Sequence, residues 1–179
     1  SGVSPRSFPG MPNGQFLATG AEHGHTGKVT ENAENRVRMM DRRLHKIHPP
    51  LHLNGEAIAG VEYEGSESPE VLLISYGSPI GAVWEAGRIL GERGLRVGVA
   101  QVRVLNPLPA EDLQHLTEGA GHSFVIENNA TGQLAYLMRA NGVTTPVRSV
   151  LKYDGTLFRA DEVAERVNDL LLREEVQIA

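Results

Sequence analysis

Two short stretches of this chain have the residue types and spacing that chemistry uses. Glu22-His23-Gly24-His25 sets two imidazoles two residues apart. In an extended segment they share a face and, with the Glu22 carboxylate beside them, could chelate a divalent metal. A polar loop with solvated or backbone-bonded histidines uses the same residues, and no third spaced ligand follows. Glu127-Asn128-Asn129-Ala130-Thr131-Gly132-Gln133 follows an apolar run and opens a helical pattern, the position where ligand sites gather in open α/β sheets. Gly132 admits another backbone at close range, while Asn and Thr at this place serve equally well as helix caps. Gly77-Ser78-Pro79 ends another apolar run and offers backbone N–H groups to an anion such as phosphate, or simply caps a helix. It is neither a P-loop nor a Gly-x-Gly-x-x-Gly turn. No Gly-x-Ser-x-Gly elbow exists to support a Ser/His/Asp triad.

Composition narrows the chemistry further. The chain has 179 residues, 40% of them apolar, and no cysteine. One compact domain with an extension fits that length. Disulfides, thiolate zinc sites, cysteine-ligated iron–sulfur clusters and a cysteine nucleophile are excluded within it. No apolar run approaches the ~18–20 residues of a membrane helix, and no signal-peptide pattern opens the chain, so a cytoplasmic protein away from membranes is expected. Residues 1–50 carry seven Lys or Arg against four Asp or Glu, whereas residues 51–179 carry ten against eighteen. Such asymmetry marks a partner-facing segment on an acidic domain. Nucleic acid is not an expected partner, because no aromatic-rich basic stripe accompanies the charge.

The elements that must position these residues follow from periodicity. Val71 to Tyr76 is a continuous apolar run suited to a strand buried on both faces. Ser78 and Pro79 are placed to start a helix bearing Ala82, Ala86, Ile89 and Leu90, and Gly94 to close it. Val97 to Leu105 reads as a strand, Pro109 to Leu116 as a short helix, Phe124 to Ile126 as a strand, and Gly132 to Ala140 as a helix. Val147 to Leu151 is a fourth strand, followed by a helix that Asp161 caps. Four strand–helix alternations predict a three-layer α/β/α sandwich with a mostly parallel sheet over residues 66–179. Residues 1–65 read as a connecting segment: a Gly- and Pro-rich loop with at most a short strand at Gln15 to Thr19, then a basic amphipathic helix from Asn32 to Ile47, stopped by Pro49-Pro50. That helix has Val37, Met40, Leu44 and Ile47 on one face and Arg36, Arg38, Arg42, Arg43, His45 and Lys46 on its outer sides. Glu62 to Glu70 reads as a solvated linker or hairpin.

The order of these motifs is familiar. Ser4-Pro5-Arg6-Ser7-Phe8-Pro9-Gly10, then Gly14-Gln15-Phe16, Thr19-Gly20-x-Glu22-His23-x-x-x-Gly27, Arg36, Met39-Met40 and Arg43-x-x-Lys46, together resemble the alpha subunit of 2-oxoacid:ferredoxin oxidoreductases, the 2-oxoglutarate type in particular. Ser75-Tyr76-Gly77-Ser78, Asn106-Pro107-Leu108-Pro109, Glu127-Asn128-Asn129-x-x-Gly132-Gln133-Leu134 and Lys152-Tyr153-Asp154-Gly155-x-x-Phe158 are similar to that subunit's C-terminal domain, itself like the C-terminal domain of transketolases. The resemblance implies a complex that decarboxylates a 2-oxoacid on thiamine diphosphate, passes electrons through an iron–sulfur cluster to ferredoxin and transfers the acyl group to coenzyme A. It further implies that a preceding domain of the same subunit contacts the thiamine ring. A beta subunit would hold the diphosphate, magnesium and cluster.

On that reading the chain is a C-terminal piece, inactive alone, that binds no cofactor and serves subunit packing and active-site closure. A start at Ser1-Gly2-Val3 without methionine agrees with a piece of a longer polypeptide. Glu22, His23, His25, Arg42 and Arg43 are then expected at the interface with the preceding domain or the partner subunit, near the access route of an anionic substrate or coenzyme A. A homodimer of the chain stays open. The competing expectations are a free-standing α/β module that binds a phosphorylated ligand through Gly77-Ser78, Glu127, Asn128, Gly132 and Gln133, and a small metalloprotein around His23 and His25.

Overall fold

The computed structural model describes residues 6–16, 20–24, 27–47, 52–53 and 56–178. The chain divides into two units, Ser1–Ile58 and Ala59–Ala179. Compositional reading placed the division at 65/66.

In the first unit, helix α1 (Ala33–Lys46) starts where Asn32 accepts a hydrogen bond from the Asn35 backbone N–H at 2.8 Å, an N-cap that satisfies a donor the helix itself cannot. Before it, a bridge pairs His23 with Val29, with Thr30 N–H donating to Glu22 C=O at 3.1 Å and Gly24 N–H to Lys28 C=O at 3.1 Å. Residues 22–24 thus pair with residues 28–30. The short strands β1 (His52–Leu53) and β2 (Glu56–Ala57) pair antiparallel. The strand expected at Gln15 to Thr19 lies partly outside the described residues, and Gln15 and Phe16 are in neither helix nor strand.

The second unit is a five-stranded sheet in the order β3 (Val61–Gly65), β5 (Val97–Val102), β4 (Val71–Ser75), β6 (His122–Glu127), β7 (Arg148–Leu151). The β5, β4, β6 and β7 pairings are parallel, and β3 lies antiparallel to β5, with Val61 opposite Val102 and Gly65 opposite Gly98. The expected sandwich is therefore present with one strand more than predicted. Val61–Gly65, read as the start of a linker, alternates half-buried Val61 and Tyr63 with exposed glutamates, as an edge strand with one covered face does.

Two apolar clusters fill the space on either face of the sheet. Val71 and Leu73 of β4 meet α2 (Ile80–Glu92) and α5 (Ala160–Ile178) through Val83, Leu90, Val163 and Val167. Leu72 and Ile74 of the same strand meet α3 (Ala110–Glu118) and α4 (Gln133–Ala140) through Leu113, Leu134 and Met138. This alternation is why β4 is apolar at every core position. Full burial of each such side chain stabilises the sandwich by ~1.5–3 kcal/mol.

Helix starts differ from the sequence expectation at two places. Ser78 does not cap α2: its N-cap is Pro79, without a side-chain bond. Asp161 lies inside the first turn of α5, where its carboxylate accepts from Arg159 at 3.0 and 2.9 Å. The strand expected to reach Leu105 ends at Val102, because the Arg103 N–H leaves the ladder to donate to Gly60 C=O at 2.9 Å. No helix among the described residues is long and apolar enough to cross a membrane.

Candidate functional site

The first cluster of candidate residues is organised by Glu22. Its carboxylate accepts from Arg43 through both guanidinium nitrogens, at 3.1 and 2.6 Å, and from Arg36 at 2.9 Å. Arg36 and Arg43 are seven residues apart, two helical turns, so α1 presents both on one face. The fork geometry of Arg43 supplies parallel bonds to the two oxygens. This contact with Arg43, reinforced by Arg36, pulls the Glu22 carboxyl down to about 2 against an outward push from desolvation. Beneath it Asn35 is buried, donating to His23 C=O at 3.4 Å and accepting from Arg38 at 2.6 Å. The His23 ring lies with Nδ1 3.2 Å from Gly24 C=O. Gly20, Ala21, Glu22, His23, Arg36, Met40 and Arg43 line an open cleft of about 410 Å³.

Glu22, His23 and Arg43 are therefore brought together around one cleft. Arg36, left out of the candidate set, completes the group, and its seven-residue spacing from Arg43 was the available signal. Arg42 is half-buried on α1, and His25 lies outside the described residues. Both Glu22 oxygens are engaged by guanidinium groups, which place two positive charges against that carboxylate. Among the described residues no group of three His, Cys, Asp or Glu is placed to hold a metal ion.

The second cluster sits where β6 hands over to α4. Glu127 is fully buried, with a relative exposure of 0%. Its Oε2 accepts from the Leu134 N–H at 2.7 Å and the Asn129 side-chain amide at 2.8 Å, and its Oε1 from the Ala135 N–H at 3.2 Å. Asn129 in turn accepts from the backbone of Thr131, Gly132 and Gln133, at 3.1, 2.8 and 3.3 Å. Gly132 turns the chain at φ +64°, and a Cβ there would sit 3.1 Å from the Ser149 hydroxyl, so both conformation and space call for glycine. A negative charge is stabilised at a helix N-terminus by the oriented peptide dipoles. At α4 that place is already taken by the protein's own carboxylate. Glu127 and Gly132 thus serve as cap and turn, and a phosphorylated ligand would meet a buried anion with the first N–H groups consumed. Asn128 is exposed and donates to Thr156 C=O at 3.5 Å, and Gln133 is exposed.

Lys152, absent from the candidate set, closes the neighbouring strand end. Its ammonium, nearly buried, donates to Glu162 at 2.5 Å and Leu157 C=O at 3.1 Å, while Arg166 donates to Glu162 at 2.6 Å and to Leu151 C=O at 2.8 Å. Both cations lie over the Phe158 ring, at 5.7 and 5.6 Å. This network holds the loop from Tyr153 to Leu157, which exposes both of those side chains. No buried side-chain nitrogen or oxygen among the described residues lacks a hydrogen-bond partner.

Known proteins share this arrangement. The model of pyruvate:ferredoxin oxidoreductase core domain II matches residues 69–163, more than half of the chain and the sandwich from β4 to the start of α5. The chain belongs to this family. Among curated domain II relatives, it is 34% identical over 170 residues to the alpha subunit of a 2-oxoacid:ferredoxin oxidoreductase from Aeropyrum pernix, covering 95% of this chain and 26% of the relative. It is 30% identical over 170 residues to the 2-oxoglutarate oxidoreductase subunit KorA of Mycobacterium tuberculosis, covering 92% and 24%. The chain thus spans about a quarter of the length of these relatives. Its structure superposes with a TM-score of 0.72 and 30% identity on the 2-oxoglutarate:ferredoxin oxidoreductase from Magnetococcus marinus solved with 2-oxoglutarate, coenzyme A and succinyl-CoA bound, over 94% of this chain and 29% of that one. A split-gene transketolase shares the fold, with a TM-score of 0.51 and 17% identity over 68% of this chain and 45% of that one.

Proposed function

We propose that the chain is the C-terminal part of the alpha subunit of a thiamine-diphosphate-dependent 2-oxoacid:ferredoxin oxidoreductase of the 2-oxoglutarate type, in which it packs subunits together and closes the active site. The observation that carries this reading is the likeness to the Magnetococcus enzyme, which runs through both units rather than the sandwich alone. The substrate class, 2-oxoacid with coenzyme A as acyl acceptor and ferredoxin as electron acceptor, comes from the names of the relatives and from the ligands of that neighbour.

The residues of this chain do not fit the group's own attachment. It has no cysteine for an iron–sulfur cluster, and its described residues offer no three-ligand set for magnesium. In the proposal thiamine diphosphate, magnesium and the cluster are held by a preceding domain and a beta subunit. Held elsewhere in such a complex, thiamine diphosphate would supply the chemistry of 2-oxoacid decarboxylation. The chain's contribution is physical: reactive intermediates must be kept from water and oxygen, and a sandwich with two filled apolar faces is a rigid wall for that purpose. The Glu22, His23, Arg36 and Arg43 cleft, with His25 beside it in sequence, is proposed to line the access route of the anionic substrate or coenzyme A, with Arg42 on the same helix.

The test is assembly. The polypeptide carrying this chain, expressed with a beta subunit, should reduce ferredoxin in the presence of 2-oxoglutarate and coenzyme A, and should lose that activity when thiamine diphosphate is withheld. The 179-residue chain alone should show no calorimetric binding of thiamine diphosphate at millimolar concentration. For the cleft, His23→Ala with Arg43→Ala should raise KM for 2-oxoacid or coenzyme A. Unchanged assembly together with unchanged KM values would remove it from the access route.

A further inference from the structure

Helix α1 leaves an apolar stripe exposed. Its one buried residue is polar, Asn35, whereas Val37, Met40, Leu44 and Ile47 are exposed, at 60, 37, 50 and 40%. These four recur at spacings of three, four and three, a single apolar stripe along the helix. The orientation is pinned. Arg36 and Arg43 bond to Glu22 and Asn35 bonds to His23, which fixes the rotation of the helix against Glu22 and His23 while both guanidinium groups stay exposed. Phe8 and Phe16 of the same unit are also exposed, at 71 and 69%. Contiguous exposed apolar surface of this kind marks an interaction site.

We propose that this stripe docks into an apolar groove on the body of the alpha subunit that lies outside these 179 residues. The proposal rests on the reading of the chain as part of such a subunit. Two observations select this occupant over a second copy of the chain. The relatives extend well beyond the matched region, since the chain spans 26 and 24% of two of them, so a large covalently continuous body is there to supply the groove. A 14-residue helix is ~21 Å long and carries a stripe of under two heptads, too short for a self-sufficient coiled coil and too small for the ~1,600 Å² of a stable protein interface. A stripe read as i, i+3, i+7, i+10 is instead the pattern of a helix laid in a groove.

The chain's lack of cysteine gives a direct readout. Leu44→Cys, with Val37→Cys as a second position, is labelled by maleimide in the 179-residue chain and in the assembled oxidoreductase, and followed by peptide-resolved mass spectrometry. The expected result is rapid labelling in the chain and at least tenfold slower labelling in the assembled, active enzyme. Equal rates in an active enzyme would overturn the docking while leaving the functional reading intact. Labelling that is already slow in the 179-residue chain and speeds up on dilution would make a second copy the occupant and overturn it as well. Failure to assemble any active complex would remove the functional reading and this proposal with it.

Discussion

The two units distribute the same kinds of atoms in opposite ways. In the sandwich, apolar side chains from four strands and four helices are buried in two clusters, and the buried carboxylate of Glu127 is surrounded by N–H donors. In the first unit the buried side chain of α1 is polar, Asn35, the ion pairs of Glu22 lie at the surface, and Val37, Met40 and Leu44 are exposed. A domain that buries its own apolar surface is stable through that burial. A unit whose apolar stripe faces solvent is held in shape by hydrogen bonds and ion pairs, and gains its apolar burial from another body. The two carboxylates show the same contrast locally: Glu127 is fixed by backbone dipoles that ionic strength does not reach, and Glu22 by mobile guanidinium groups at a surface where salt screens the attraction.

Breaking that contrast should produce effects of very different size. Phe124→Ala, which opens a cavity under α5, should destabilise the sandwich by about 4 kcal/mol in urea unfolding. Glu127→Ala should cost about 3 kcal/mol, since it strands the Leu134 and Ala135 N–H groups at the start of α4; a loss below 1 kcal/mol would mean the carboxylate is not the cap. Asn32→Ala should weaken α1 by about 1 kcal/mol, seen as faster amide exchange over residues 33–38 with no change in the sandwich. Leu44→Ala in the 179-residue chain should change stability by less than about 0.5 kcal/mol, because that side chain is half exposed at 50% and Ala is a good helix former. The smallest effect is a titration. The Glu22 carboxyl is lowered to about 2 from an ordinary 4.5, so its contribution is fully present above pH 4.5 and is lost as pH falls through about 2. Carboxyl NMR should show this midpoint rising toward 4.5 in Arg43→Ala.

The parallel strands were legible because burial on both faces writes continuous apolar runs such as Val71 to Ile74. The edge strand Val61–Gly65 was not, since two glutamates among five residues look like a linker until β5 is present to pair with them. Asn32 as a cap and the apolar stripe of α1 could be read from spacing alone. Glu127 could be placed near a strand end but its task could not: whether a carboxylate there meets a ligand or a helix depends on where α4 begins. The same holds for Arg36, which became part of the Glu22 group only when the turn at residues 22–30 came to lie along α1.

What the sequence by itself determined is the alternation of elements, the two-faced core, the absence of thiolate chemistry and the order of motifs that signals the family, because each is a local pattern of residue types. What only the tertiary structure decided is the assignment of partners: which strand lies beside which, that Glu127 bonds the first N–H groups of α4, and that Arg36 and Arg43 of α1 both bond Glu22. Such partners are far apart in the chain, and only the folded backbone brings their donors and acceptors to hydrogen-bonding distance.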